Sequence, residues 1–418
     1  MLEEVTMERV LRVENLRAAY LAVKANGGAP GIDGMEVGEM KAHIQRHWES
    51  IEAKLLAGKY RPAAVRGVEI PKANGGRRQL GIPTAMDRMI QQALNQALRP
   101  TFEEGFSESS YGFRPGRSAH EAVRKGQGYV AAGKSWVVDI DLKNFFDQVN
   151  HDRLMTRVGR QVRDKRVLRL IGDYLRAPRQ RADGSREPRK AGTPQGGPLS
   201  PLLANLYLDP LDQELERRGV AFVRYADDIA IFAGSERAAR RIWESVMRWL
   251  EKELGLEVNR EKSGAGPSGE SSLLGFRLYE DGRIGVCPKA IRRLKERVRE
   301  CWEARQSKTS EQLREPWRRY IQGWWNYFEL ADSRREVENL SGWIRRHMRK
   351  CFWLRWHHPR GRLKALKRLG IRGRALGMAW CGRGAWAIAR HVVLQQALGN
   401  RRLHRHGFII PWDFAGTR

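Results

Sequence analysis

Two adjacent acids, Asp227 and Asp228, sit between the apolar runs Phe222-Val223-Arg224-Tyr225 and Ile229-Ala230-Ile231-Phe232. Runs rich in β-branched and aromatic residues predict two strands, and the short stretch between them predicts a tight turn. By itself an Asp-Asp pair is most often a solvated turn. A buried hairpin with two acids at its tip is costly, however, unless a cation compensates them, and a divalent metal does so through oxygen ligands. The chemistry such a site supports is two-metal phosphoryl transfer: one ion activates an attacking hydroxyl, the second holds the phosphates and the leaving group. A third carboxylate must come from elsewhere. Trp136-Val137-Val138-Asp139-Ile140-Asp141 reads as a short apolar strand ending in acids, and Asp147 follows it. Asp139 and Asp141 share a strand face by the period of two, so Asp139, Asp141 and Asp147 are the candidates.

These acids need a framework. Apolar residues at helical spacing predict helices over 6–25, 36–57, 84–98 and most of 151–177. Further helices are expected over 199–216 and 235–254. Strand alternation over 65–71 and 78–82, with Lys72-Ala73-Asn74-Gly75-Gly76-Arg77 between, predicts a hairpin, and others are expected at 182–185 and over 272–286. From residue 289 onward the spacing is helical, for example Trp317, Tyr320, Ile321, Trp324, Trp325 and Phe328. Strands give way to basic helices near residue 285, where a domain boundary is expected.

Charge separates the two parts. The chain of 418 residues has a net charge of +29, of which residues 281–418 carry +21 and hold ten of the 14 tryptophans. Such a field attracts polyanions, nucleic acid above all, and cations interleaved with aromatics suit a surface that tracks a backbone and stacks bases. The plainer reading is that most of these tryptophans fill a helical core beneath a solvated basic face. The four cysteines are not closely spaced, which argues against a zinc ribbon or a disulfide framework. Cys351, His357, His358 and Cys381 are better explained by packing and solvation than as zinc ligands. No apolar run is long enough to span a membrane and the N-terminus is not a signal peptide, so a reducing, cytoplasmic setting is expected.

Ordered blocks around the acids resemble those of reverse transcriptases. Tyr225-Ala226-Asp227-Asp228 is similar to their Tyr-x-Asp-Asp box. Asp141-Leu142-Lys143-Asn144-Phe145-Phe146-Asp147 is similar to the block whose first aspartate binds metal and whose aromatic five residues on is a sugar gate. By that register the resemblance implies Asp141, Asp227 and Asp228 as catalytic metal ligands, with Asp139 and Asp147 supporting them. It implies Phe146 as the gate, its ring excluding a ribose 2′-hydroxyl. Gly192-Thr193-Pro194-Gln195-Gly196-Gly197-Pro198 resembles the family's Pro-Gln-Gly block, which implies that Gln195 contacts the incoming nucleotide. Lys72 and Arg78 flank a Gly-Gly turn as in the family's fingertips, where two cations grip the triphosphate.

The match extends along nearly the whole chain to group II intron-encoded reverse transcriptases, or maturases. Gly28-Ala29-Pro30-Gly31-Ile32-Asp33-Gly34 resembles their N-terminal extra block. Arg78-Gln79-Leu80-Gly81-Ile82-Pro83-Thr84 with Asp87-Arg88, Ser110-Tyr111-Gly112-Phe113-Arg114-Pro115-Gly116-Arg117-Ser118 and Leu273-Leu274-Gly275-Phe276 resemble later blocks. Tyr320-Ile321-Gln322-Gly323-Trp324-Trp325-Asn326-Tyr327-Phe328 resembles the maturase thumb, domain X.

The resemblance implies an α+β right-hand polymerase fold: fingers and palm with antiparallel sheet, then an α-helical thumb. The expected divisions are an N-terminal extension with fingers over 1–110, palm with remaining fingers over 111–285, thumb/domain X over 286–385, and a short basic DNA-binding segment over 386–418. It implies an RNA-directed DNA polymerase using two Mg²⁺ ions, with Mn²⁺ as a substitute, and dNTP substrates. Expected partners are a group II intron RNA, whose splicing the protein assists, and an RNA template with DNA primer or target, copied during retrohoming. No membrane or protein partner is implied. Arg114, Arg117, Arg345, Arg346, Arg349 and Lys350 are the expected nucleic-acid contacts. The stretch after residue 390 has His404 and His406 but no Cys-x-x-Cys, which resembles the endonuclease-lacking, class C lineage. The alternatives are another bacterial reverse transcriptase (retron, diversity-generating or defence-associated) or a splicing factor with a degenerate polymerase core. The domain X block speaks against the first, and the intact acids, Phe146 and Gln195 against the second.

Overall fold

The computed structural model describes residues 3–71, 77–332 and 334–415. The chain folds as two compact units, Met1–Pro267 and Ser268–Arg418. In the first, α1 (Met7–Val10), α2 (Val13–Asn26) and α3 (Met40–Leu56) precede the hairpin of β1 (Val65–Pro71) and β2 (Arg77–Ile82). The single helix expected over 6–25 is broken at Leu11-Arg12, where Arg12 is extended. The break turns the sequence neighbours Val10 and Leu11 both into the core.

Next come α4 (Ala85–Glu103), α5 (Ala119–Ala131) and the strand β3 (Trp136–Asp141). Helix α4 starts at the N-cap Thr84, and its first four turns are almost wholly buried. Its Asp87 is a polar hub, accepting hydrogen bonds from Tyr60 Oη (2.9 Å), Tyr174 Oη (3.1 Å), Thr84 Oγ1 (2.9 Å) and Ala63 N (3.1 Å). Burial raises its pKa, and these donors offset part of the cost of placing a carboxylate in the core. Beyond β3 lie α6 (Phe145–Gln148), α7 (His151–Gln161), α8 (Lys165–Arg176), the short pair β4 (Arg179–Gln180) and β5 (Arg186–Glu187), and the palm helix α9 (Ser200–Arg217). The unit ends with β6 (Ala221–Tyr225), β7 (Asp228–Ala233), α10 (Glu236–Trp249) with a π-helical turn at Leu250–Leu254, and β8 (Gly264–Pro267).

Two sheets result. One has the order β2-β1-β4-β5, the other β6-β7-β3-β8. In the second every pairing is antiparallel. Its strands β6 and β7 are buried almost throughout, which explains their continuous apolar runs.

One charge lies inside this unit where apolar residues would be expected. Arg224 of β6 is fully buried, as is its ion-pair partner Asp212 of α9. Arg224 Nε donates to Asp212 Oδ1 at 2.7 Å, and Nη1 donates to Asn205 Oδ1 at 2.9 Å and to the Ala226 carbonyl at 3.1 Å. Asn205 Nδ2 in turn donates to the Gly112 carbonyl at 2.8 Å. The Ser109–Tyr111 segment pairs with the backbone of Arg224 on the outer side of β6.

In the second unit β9 (Phe276–Leu278) and β10 (Ile284–Val286) form a hairpin. Among the described residues eight helices follow: α11 (Pro288–Cys301), α12 (Ser310–Phe328), α13 (Arg334–Arg355), α14 (Pro359–Arg368), α15 (Ala385–Ile388), α16 (Val392–Ala397), α17 (Asn400–Arg405) and α18 (Trp412–Ala415), with a 3₁₀ stretch at Gly373–Trp380. The compact units divide 18 residues before the boundary expected near 285, because β9 packs on α12: Phe276 contacts the rings of Tyr327 and Phe328 at 5.6 and 5.1 Å. Trp302, Trp317 and Trp353 are core residues here, whereas Trp380 is exposed.

Replacing Arg224 with Leu leaves Asp212 buried without its partner, which should cost about 3–5 kcal/mol. Chemical denaturation of the purified chain checks this, and a loss below about 1 kcal/mol would show that the pair is dispensable.

Candidate active site

The sheet register assembles the acids. Across the β3–β7 pairing Asp141 stands directly opposite Asp228, and across β6–β7 Tyr225 stands opposite Asp228. The hairpin loop is therefore the two residues Ala226 and Asp227. Ala226 has a φ of 57°. A left-handed first loop residue belongs to the primed hairpin turns that match strand twist, and Gly is the usual occupant. In a residue with a Cβ this conformation costs about 1–2 kcal/mol. The Arg224 hydrogen bond to the Ala226 carbonyl restrains the peptide, and Gly112 lies against its nitrogen, so close that a Cβ on Gly112 would overlap it.

Two carboxylates directly opposite on antiparallel strands repel each other unless a cation lies between or beside them. Lys262 takes part of that role: its Nζ is 3.7 Å from Asp141 Oδ2. The backbone of Asp141 is pinned from the same segment, its N–H donating to Ser263 Oγ at 2.8 Å and its carbonyl accepting from Asn259 N at 2.9 Å. Among the described residues no three His, Cys, Asp or Glu side chains are already gathered into a metal-binding group. The fit to divalent cations thus lies in register and donor chemistry: hard oxygen donors on rigid paired strands, with Asp227 in the adjoining turn. Asp139 sits two pairs further along β3, opposite Ala230 on one side and Gly264 on the other. Lys262 was not singled out in the sequence. Only its position in the segment leading into β8, which pairs with β3, makes it a neighbour of Asp141.

Phe146 and Gln195 are brought to one cavity of about 640 Å³, together with Gly196, Gly197, Leu80, Ile82 and Phe113. Asn144 enters α6 in the left-handed region with φ 46°. The Phe146 carbonyl accepts from Thr193 N at 2.7 Å, and His151 Nε2 lies 2.8 Å from the Gly192 carbonyl. On its other side the loop holds β2, where Gly81 N donates to the Gln195 carbonyl at 2.9 Å. A Cβ on Gly197 would meet the side-chain oxygen of Gln91, which would have to move aside. Arg88, 8% exposed, also lines the cavity and donates from Nη1 to the Gly27 carbonyl at 3.0 Å, tying the glycine-rich loop to α4. Lys72 and the side chain of Arg78 lie outside the described residues; the backbone of Arg78 pairs with Ile70 in the fingers hairpin.

The cations expected on a nucleic-acid surface divide by burial. Arg114 is buried, its Nε on Glu103 Oε1 at 2.6 Å and its Nη1 on the Ser110 carbonyl at 2.9 Å, so it closes the 107–114 loop from within. Arg349 is also buried, donating to the Leu398 carbonyl at 3.1 Å and Asn400 Oδ1 at 2.9 Å, and burial lowers its pKa to about 10. Arg117 pairs with Glu108, and Arg345 with Asp413 at 3.4 Å. Arg346 donates to the Trp386 carbonyl at 2.8 Å. Lys350 is half-buried at the edge of an aromatic cavity. Arg114 and Arg349 therefore work as internal braces, their side chains donating to groups of the protein itself.

Residues 70–278 match the family described as reverse transcriptase (RNA-dependent DNA polymerase), and residues 291–370 match the group II intron, maturase-specific domain. Protein YkfC of Escherichia coli is 33% identical over 59% of this chain and 74% of its own length. The group II intron-encoded protein LtrA of Lactococcus lactis is 36% identical over 49% of this chain, and the match spans 34% of LtrA. Among solved structures, telomerase from Candida albicans aligns with a TM-score of 0.43 and 12% identity, covering 68% of this chain and 58% of that chain.

Gly112→Ala should force the 110–112 segment away from the Ala226 turn and destabilise the protein by about 1–3 kcal/mol. A denaturation midpoint equal to that of the parent chain would show that this contact gives way freely.

Proposed function

The chain belongs to the reverse transcriptase family and carries a group II intron maturase-specific region, and on that footing we propose that it copies RNA into DNA at the Asp141–Asp227–Asp228 site. The observation that carries the proposal is the register of Asp141 opposite Asp228 beside the Ala226-Asp227 turn, inside the segment that matches the family. A reverse transcriptase domain implies dependence on divalent metal. In this reading Asp141, Asp227 and Asp228 hold two Mg²⁺ ions, for which Mn²⁺ substitutes. Bound there, the metal supplies Lewis-acid activation of a primer hydroxyl and neutralises the triphosphate.

The remaining tasks fall to side chains. Lys262 balances Asp141 and keeps its carboxylate at the strand end. Phe146, fixed through its carbonyl to the Thr193 loop, presents a ring where a ribose 2′-hydroxyl would need space, and so selects dNTPs. Gln195, held to β2 through its own carbonyl, meets the incoming nucleotide and the template. Lys72 grips the triphosphate as a point charge and Arg78 through its planar guanidinium. The basic second unit holds a group II intron RNA by phosphate and shape contacts, as structured RNA is generally held, and assists its splicing. In that setting the polymerase makes cDNA on target DNA during retrohoming.

Primer extension on an RNA template with Mg²⁺ and dNTPs tests the catalytic reading. Incorporation should fall by at least about 10²–10³-fold in Asp227→Ala or Asp141→Asn; full activity in either variant would overturn the assignment. Phe146→Ala should lower the preference for dNTPs over rNTPs by about tenfold or more. Unchanged sugar discrimination would remove Phe146 from that role.

A further inference from the structure

Of the ten described tryptophans in the second unit, Trp380 alone is exposed, at 59%. The backbone sets it there. Met378 and Ala379 are buried, and Cys381 N donates to the Met378 carbonyl at 2.9 Å, closing a turn whose corner carries Trp380. Other indoles of the unit already have a cation over them: Lys295 on Trp343, Arg362 on Trp353 and Arg346 on Trp386. Among the described residues no cation or aromatic ring lies over Trp380. One exposed apolar residue needs no explanation by itself, so the surroundings of the ring decide what it means.

Two features of those surroundings point to a ligand. Gly377 and Gly382 flank Trp380 in sequence, and both are exposed. Neither has a positive φ, and a Cβ at either would meet open space. Neither conformation nor packing therefore requires glycine there. Its effect is a bare main chain on both sides of Trp380, which lets another backbone approach closely. The second feature is charge. Residues 339–412 contain 17 Lys and Arg and no Asp or Glu. Arg372, Arg374 and Arg383, the cations nearest Trp380 in sequence, are exposed and make no ion pair among the described residues. With no carboxylate in the stretch to answer them, they are left to an external polyanion. An uncovered indole, bare backbone beside it and unanswered cations match an unpaired base with its flanking phosphates. A duplex offers no such base, because its bases stack on one another. The same cations disfavour a basic protein partner.

We propose that Trp380 is a stacking platform for one unpaired base of a structured RNA, with Arg374 and Arg383 meeting phosphates near that base. The platform lies beyond residues 291–370, which match the maturase-specific domain. The inference rests on the reading of the second unit as an RNA-binding surface and adds to it a contact that phosphate attraction cannot supply.

The test uses the full chain and a short hairpin RNA with one bulged adenosine, the same hairpin with an abasic residue at the bulge, and the fully paired hairpin. Affinities are measured over a range of salt concentrations. The adenosine bulge should bind about tenfold more tightly than the abasic one, as the stacking of one base predicts, and the fully paired hairpin should bind no better than the abasic one. Trp380→Ala should remove that difference and leave the salt dependence unchanged, because no phosphate contact is lost. Trp380→Phe, which keeps a ring, should retain most of it. Replacing Arg374 and Arg383 together with Ala should flatten the salt dependence and leave the bulge preference in place. Equal affinity of the parent chain for the adenosine and abasic hairpins, or a preference that survives Trp380→Ala, would overturn the proposal while leaving general RNA binding intact. Absence of binding to any hairpin, even at low salt, would overturn the RNA-binding reading along with it. The abasic comparison uses the unmodified protein, so it decides the matter even if a variant fails to fold.

Discussion

The buried pair of Arg224 and Asp212 is the interaction around which the catalytic unit is organised. A buried ion pair contributes little net stability on average, because desolvation cancels most of the attraction. Its value here is directional. One planar guanidinium binds the palm helix through Asp212 and Asn205 and reaches forward to the Ala226 carbonyl, two residues further along the chain. A lysine in its place would supply a point charge without the fork that fixes three acceptors at once. Because Asn205 also holds the Gly112 carbonyl, the palm helix, the acid-bearing hairpin and the 109–112 segment become one polar unit. The left-handed Ala226 persists because these partners over-determine it.

The nucleotide side of the site follows the same logic through backbone rather than charge. The Gly192–Gly197 loop is pinned at one end to Phe146 and Val149 and at the other to Gly81 of the fingers hairpin. Phe146 and Gln195 are 49 residues apart in sequence but share a cavity because one loop bonds to both neighbours. Glycine at 192 permits that approach: a side chain there would strike the backbone around Phe146 and Asp147. A constraint on the loop is thus a constraint on the fingers, and Asp87, gathering four donors at the start of α4, fixes the helix that the loop packs against.

Much of this was legible in the sequence, for identifiable reasons. Short apolar runs rich in β-branched and aromatic residues located β3, β6 and β7, and the short stretch between the last two left no room for any connection but a tight turn. β8 escaped notice because Gly264-Ala265-Gly266-Pro267 has the composition of a loop; as an edge strand it tolerates a terminal proline, and only pairing with β3 defines it. Lys262 was hidden for the same reason. Arg114 and Arg349 read as surface cations because composition does not distinguish a solvated arginine from one whose donors are met by backbone carbonyls. The boundary near 285 followed the change from strands to helices, whereas packing follows contacts, and the β9–β10 hairpin contacts α12.

Withdrawing these braced arginines from the basic surface sharpens how the second unit meets a polyanion. Arg345, Arg346 and Arg349, all on α13, are tied to Asp413, the Trp386 carbonyl and the Leu398 carbonyl, so that face of the helix is structural. Exposed cations remain elsewhere: Arg292 and Arg293 on α11, Lys364, Lys367 and Arg368 on α14, and Arg372 and Arg374 just after it. Like charges so close in sequence repel one another, and the repulsion is relieved when phosphates replace the counterions around them. Such a surface binds any phosphate backbone and reads no base. Selectivity among RNAs therefore has to come from groups that meet something other than phosphate.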